Sequence, residues 1–229
     1  MGIKRYFATQ DNTISNAFKA NLKTRGTGSN MGASDILEAF VIHGQTSASI
    51  DSNSAEQARI LHSQIIDILC LHCDKLIYIS TNPTNDQRTY YLTKQEGEKR
   101  TILNNRSNIV LRTNIYGKGG LADWAISRLK DKKRVKGFSN VLFNAIHVDQ
   151  LSNIIKDILS DEFSGGVMDI AGNYTISKYD FICLIASYLN LDINLISKSK
   201  SLIPQNLVID NSQYISLNEG LKLLKKDYE

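Results

Sequence analysis

Tyr90 and Lys94, in the stretch RTYYLTKQEGEKR at 88–100, set a phenol and an amine four residues apart. On a helix that spacing stacks the two side chains on one face. A tyrosine titrates at about 10 in water, so acid–base work near neutrality needs a nearby positive charge that favours the phenolate. A lysine one turn along supplies one. Thr81 closes the apolar run KLIYIST at 75–81, and the carboxyl ends of strands in open parallel sheets are where ligands bind. A hydroxyl there, beside the phenol, makes the three residues a proton relay for a carbonyl interconverting with an alcohol. Hydride must come from a cofactor. Taken alone, Y-x-x-x-K is equally the pattern of a helix with a half-buried tyrosine and a solvated lysine, so the surrounding elements have to decide.

Those elements follow a regular order. IKRYFAT at 3–9 reads as a strand, and TISNAFKANLKTRG at 13–26 as a helix stopped by glycine. GTGSNMGASD at 26–35 is a loop by composition. LEAFVIHG at 37–44 is a buried strand, and SAEQARILHSQIIDILCLHCDK at 54–75 is the longest helix, with Ala58, Leu61, Ile65, Ile68 and Leu69 on its inner side. KLIYIST, a helix through 90–104 and the strand SNIVLRT at 107–113 follow. Strands without polar alternation, separated by amphipathic helices, predict an α/β, doubly wound, mostly parallel sheet covered on both faces. Further on, the pattern predicts a helix in LADWAISRLK, a short strand in NAIHV, a helix in DQLSNIIKDILS, a strand in GVMDIAG, a helix begun by Ser177 and a closing helix in NEGLKLLKK. No repeat or long linker intervenes, so the second half reads as a smaller lobe.

Composition sets the outer bounds. The 229 residues are 42% hydrophobic and 22% charged, and no apolar run approaches the roughly 18 residues of a membrane span. The N-terminal segment has no signal-peptide core, and a cytoplasmic location with no membrane partner is expected. Three cysteines argue against a disulfide framework. CLHC at 70–73 could be a redox pair or half a metal site, but no second pair exists, and buried thiols on an apolar helix are the simpler reading; no metal is expected. Net charge is +4, densest in RLKDKKRVKG at 128–137. That cluster reads as a solvated face, although an anion such as a sugar diphosphate would suit it. Aromatic residues are not interleaved with the basic ones, which disfavours nucleic acid.

The order IHGQTS, YISTN, YYLTKQEGEK, IVLRTNIYG, NAIHVDQL, MDIAGNYTISKYDF resembles the extended short-chain dehydrogenase/reductases along nearly the whole chain. Within them it is most similar to the NAD(P)-dependent sugar-nucleotide epimerase/dehydratases and dTDP-dehydrorhamnose reductases. The resemblance implies a reduced Rossmann-like domain, 1–115 with parts of 140–160, and a smaller C-terminal substrate-binding lobe, mainly 116–139 and 161–229. It implies Tyr90 as acid/base, Lys94 as its partner and a contact to the nicotinamide ribose, and Thr81 as the third catalytic residue. Tyr91 is one residue out of register. Cofactor contacts carry over to Thr9, Asn12, Thr13, Gly44, Gln45, Thr46 and Lys94, and substrate contacts to Asn82 and Asn114, with NAD or NADP as cofactor and a nucleotide sugar as ligand. Gly97 and Glu98 match the family's GE, with helical packing and charge as their simpler role. His147 and Asp149 read as structural residues of the lobe junction, and Asn144 stands where relatives often carry a phosphate-binding arginine.

The pattern breaks in the cofactor half. Dinucleotide binding in this fold rests on a glycine-rich turn after the first strand, because only glycine lets backbone amides approach the pyrophosphate. ATQDNTISNAF at 8–18 contains no glycine. Between Gly26 and Leu37 the chain is also too short for the strand-helix-strand passage that would hold the adenosine ribose. The adenosine half therefore reads as deleted, leaving a sheet edge to be covered, and a homo-oligomer is expected. Two functions remain open: an active oxidoreductase or epimerase on a nucleotide-activated sugar, and an inactive relative that binds a nucleotide sugar or a protein without redox turnover.

Overall fold

A computed structural model of the chain describes residues 4–9, 37–43, 60, 63–70, 73–82, 89–160, 163–210 and 215–229. The helix expected at 13–26, the loop at 26–35 and the turn after the first strand lie outside the described residues. The chain divides into two compact units, Met1–Arg112 with Ile154–Met168, and Thr113–Asn153 with Asp169–Glu229.

In the first unit the apolar runs become strands of one sheet: β1 (Lys4–Thr9), β2 (Leu37–His43), β3 (Cys73–Ser80), β4 (Ile109–Thr113) and β9 (Gly166–Ile170), in that spatial order. β1, β2, β3 and β4 pair parallel to one another. Leu76, Ile77, Tyr78 and Ile79 of β3 and Ile109, Val110 and Leu111 of β4 are all wholly buried. Consecutive side chains point to opposite faces, so both faces are covered, which is why these strands show no polar alternation. α1 (63–70) precedes β3, and α2 (Thr89–Asn104) makes the crossover from β3 to β4. Buried Asn108 ties this crossover shut: its Oδ1 accepts from Leu76 N at 2.8 Å, and its Nδ2 donates to Thr101 O at 2.8 Å. Asn105 turns the chain just before, its Oδ1 accepting from Ser107 N at 3.0 Å, so β4 begins at Ile109 rather than at 107.

The long helix expected through 75 is different in two ways. It gives way to β3 at Cys73, so Cys70 and Cys73 lie on separate elements rather than one helix. Cys70 is a half-buried free thiol that accepts from Asn108 Nδ2 at 3.4 Å. The helix is also rotated from the face expected: Ile66 is fully buried, while Ile65 and Ile68 are 47% and 55% exposed. Asp67 sets the rotation by accepting from Arg100 Nη1 at 2.5 Å and Asn104 Nδ2 at 2.9 Å, which turns that side of α1 toward α2.

The second unit packs α3 (Gly120–Lys130), α5 (Lys178–Tyr188) and α6 (Leu217–Tyr228) around small sheets. β5 (Ile115–Tyr116) pairs with β8 (Ile146–His147), and α4 (Val148–Ser160) starts directly after β8. β7 (Val141–Phe143) lies between β10 (Ile176–Ser177) and β12 (Gln205–Leu207), and β6 (Val135–Phe138) pairs parallel with β11 (Ile196–Ser199). Its core holds Phe181 edge-on to Tyr116 at 5.0 Å and to Phe143 at 5.1 Å. Ser177 caps α5 as expected, accepting from Asp180 N at 3.0 Å. The basic run 128–137 is more than a helix end: α3 stops at Lys130, Lys132 takes a left-handed φ of 58°, and the chain continues as β6.

Candidate functional site

β3 and α2 position the predicted triad. β3 is buried to its last residue, and Thr81 and Asn82, which follow it, are 7% and 4% exposed. α2 places Tyr90 in its first turn and Lys94 one turn further. Thr81 lies close enough to Tyr90 to favour its phenolate, and Thr81 Oγ1 donates to Asn82 Oδ1 at 3.2 Å. Tyr91 is buried, edge-on to the half-buried Tyr90 ring at 5.1 Å. Of the two adjacent phenols, it is therefore Tyr90 that meets the threonine.

Lys94 is 2% exposed. Its Nζ donates to Ile79 O at 2.8 Å and stands 5.2 Å from the centre of the Tyr78 ring. Loss of water lowers its pKa from 10.5 to about 7, partly opposed by the carboxylate of Glu98. Burial also raises the Tyr90 phenol, with the Thr81 hydroxyl pulling the other way and Tyr91 adding to the rise. This differs from a phenol lowered by an ammonium. In the chain as it stands, Tyr90 is a neutral acid and Lys94 is balanced between amine and ammonium near neutrality.

Beside this pair is a network that sequence reasoning passed over. Glu98 accepts from Ser80 Oγ at 2.5 Å and, through both oxygens, from Arg112 Nε at 3.1 Å and Nη2 at 2.7 Å. It ties α2 to the ends of β3 and β4 and is the charge that opposes neutralisation of Lys94. The available signal was the i, i+4 spacing of Lys94 and Glu98. Gly97 has a packing reason: a Cβ there would lie 2.4 Å from Tyr78 Oη, so only glycine admits the close approach of α2 to β3.

Thr9 is the last residue of β1 and pairs with His43, the last of β2. Because β1, β2 and β3 are parallel, with Thr9 level with His43 and Ile42 level with Tyr78, the segments leaving these strands emerge at the same end of the sheet as Thr81. Asn12, Thr13, Gly44, Gln45 and Thr46 lie outside the described residues. In the second unit Asn114 Nδ2 donates to Leu207 O at 2.7 Å, and its carbonyl accepts from Ile146 N at 2.9 Å. Asn144 is buried and exchanges two hydrogen bonds with the backbone of Ile209, at 2.8 and 2.9 Å, which gives it a structural task. His147 is wholly buried, with Nδ1 accepting from Asp149 N at 3.2 Å and Nε2 3.3 Å from Asp227 Oδ2. Desolvation lowers its pKa against both carboxylates. Among the described residues no group of three or more His, Cys, Asp or Glu side chains is placed to hold a metal, and no helix is long and apolar enough to cross a membrane.

No family model matches the chain, and no curated protein matches it significantly. Solved structures do. A dTDP-4-dehydrorhamnose reductase from Clostridium acetobutylicum superposes with a TM-score of 0.79 at 15% identity, over 97% of this chain and 99% of that one. The enzyme WbmH from Bordetella bronchiseptica, solved with NAD+, superposes with a TM-score of 0.76 at 11% identity, over 99% and 98%. A dTDP-4-dehydrorhamnose reductase from Bacillus anthracis, solved with NADP, gives 0.73 at 17% identity, over 94% and 86%.

Proposed function

On the α/β, Rossmann-like fold of the extended short-chain dehydrogenase/reductases, we propose that this chain is an NAD(P)-dependent oxidoreductase or epimerase acting on a nucleotide-activated sugar. The observation that carries the reading is the placement of Tyr90 beside Thr81 at the carboxyl end of β3, with buried Lys94 one turn further along the same helix. The described residues suit a nicotinamide: β1, β2 and β3 deliver their carboxyl ends to one end of the sheet, and Lys94 Nζ is a donor there with one backbone partner, Ile79 O, among the described residues. A bound NAD(P)H supplies the hydride. Tyr90, neutral, gives its proton to the substrate oxygen as the carbonyl becomes an alcohol, and Thr81 holds that oxygen beside the phenol. Lys94 in its charged form stabilises the phenolate left behind. Thr81 Oγ1 donates its one hydrogen to Asn82 Oδ1 in the resting chain and would turn it to the substrate oxygen on binding. In this reading residues 1–115 and parts of 140–160 hold the cofactor, residues 116–139 and 161–229 bind the sugar nucleotide, and Asn114 contacts the substrate.

A second reading, a nucleotide-sugar or protein binder without redox turnover, is favoured by one feature: residues 8–18 carry no glycine where the pyrophosphate turn belongs. Calorimetric titration with NADH and NADPH separates the two. Binding of either, followed by a loss of turnover on the order of 10²- to 10⁴-fold in Tyr90→Phe with cofactor affinity retained, is expected. No binding of either cofactor at millimolar concentration favours the second reading.

A further inference from the structure

The second unit contains a cavity of about 550 Å³, lined in part by the basic run 128–137 and separate from the Tyr90 site. Its lining includes Trp124 and Arg128 of α3, Arg134 and Lys136 where β6 begins, and Asn194 and Ser197 where β11 begins. Three cations thus face one space with no carboxylate among the lining residues. Two acids close in sequence to the lining residues are already engaged: Asp131 accepts from Lys133 Nζ at 2.8 Å, and Asp192 caps the 3-10 turn Ile193–Leu195 by accepting from Asn194 N at 3.0 Å. Arg134 and Lys136 are exposed and make no ion pair among the described residues. Like charges gathered in a concavity repel one another and raise the local concentration of anions.

The arrangement is also held in shape. Arg128 Nε donates to Arg134 O at 3.2 Å, and its guanidinium lies 6.0 Å from the centre of the Trp124 ring. That fixes the plane of the fork while leaving its terminal nitrogens for a ligand. Ser197 Oγ donates to Val135 O at 3.3 Å, keeping the two parallel strands level at the rim. A planar guanidinium fork with two further cations suits the oxygens of phosphate better than a single carboxylate. Trp124 is 45% exposed and offers an apolar surface beside them.

We propose that this cavity binds the phosphate groups of a small phosphorylated ligand, through Arg128, Arg134 and Lys136 beside Trp124. The inference does not rest on the redox reading, since no lining residue belongs to the Tyr90 site.

Trp124 is the sole tryptophan of the chain, so its fluorescence reports on the cavity directly. The full chain is titrated at low salt with inorganic phosphate, pyrophosphate and thymidine diphosphate, by fluorescence and by calorimetry. Saturable binding of pyrophosphate is expected, weakened by salt and reduced about tenfold or more in Arg134→Glu/Lys136→Glu. Tighter binding of the nucleoside diphosphate than of pyrophosphate would mark a nucleotide as the source, and equal binding a plain phosphate ester. Thermal unfolding of the double variant serves as the control, and both positions are exposed. Tyr90→Phe leaves these affinities unchanged, so failure of the catalytic reading and failure of this one are distinguishable. Absence of binding up to about 10 mM, affinity unaltered by the double charge reversal, or a single-stranded oligonucleotide binding far more tightly than pyrophosphate would each overturn it.

Discussion

Lys94 is a long cationic side chain kept almost entirely from water, and its one backbone partner among the described residues, Ile79 O, replaces little of the lost hydration. The consequence is a linkage between pH and stability. The unfolded lysine titrates at the ordinary 10.5 and the folded one at about 7. Between those values the unfolded chain binds a proton that the folded chain does not, so this residue makes stability rise with pH across that window. Below it both states are protonated and the folded state bears the full desolvation cost. Lys94→Met should therefore stabilise the fold most near pH 6, by about a few kcal/mol, with a correspondingly higher melting temperature, and lose that advantage toward pH 10. Thermal unfolding at pH 6, 8 and 10 checks this, and a constant difference between the two proteins across the series would show that Lys94 is charged throughout. The same balance bears on function, because a group held near neutrality can be driven to its charged form by a phenolate or a cofactor phosphate nearby.

The α2 helix is fixed at two points, and they make different predictions. Gly97 sits against the Tyr78 ring, where a methyl group would meet the phenol oxygen, so Gly97→Ala should destabilise the chain by about 1–3 kcal/mol, read from denaturant midpoints. An unchanged midpoint would mean that Tyr78 moves aside. Arg112→Met leaves Glu98, whose side chain is 13% exposed, with Ser80 as its remaining partner among the described residues, and should cost about 2 kcal/mol or more. How far such features were legible depends on their range. The strands around Ile79 and Leu111 were readable because burial on both faces removes polar alternation from the sequence itself. Ser177 was readable because a cap acts on its own helix. The rotation of α1 was not, because Ile65, Ile66, Ile68 and Leu69 offer two apolar faces and the choice is made by Asp67 reaching Arg100 across 33 residues. β6 and β11 were missed because Val135–Phe138 and Ile196–Ser199 alternate over four residues among lysines and serines, and only their pairing with each other makes them strands. At the site, Tyr90, Lys94 and Thr81 were legible as a spacing, whereas the Glu98–Arg112 pair depends on the fold bringing β4 alongside α2.

At the scale of the whole chain, the order β1-β2-β3-β4-β9 has a physical implication. In the dinucleotide-binding arrangement the first strand is interior, with further strands on its outer side. Here β1 pairs with β2, and among the described residues nothing pairs with its other side. An uncovered edge offers a row of unpaired backbone N–H and C=O groups, which folded proteins blunt with charge or cover with another element or subunit. Ile65 and Ile68 on α1 and Leu103 on α2 add exposed apolar area in the same unit. Each of these is unfavourable in water for an isolated chain, and their combination in one unit is the signature of a surface that is covered in solution. We expect a homo-oligomer, read as a mass at least twice that of the chain by light scattering from about 1 to 100 µM, concentrations at which an interface of ordinary size is occupied. Ile68→Lys tests whether the helical face contributes: it should shift the population toward monomer without unfolding the chain, since residue 68 is more than half exposed within it. A monomer at every concentration would mean that β1 and α1 are covered from within the chain itself.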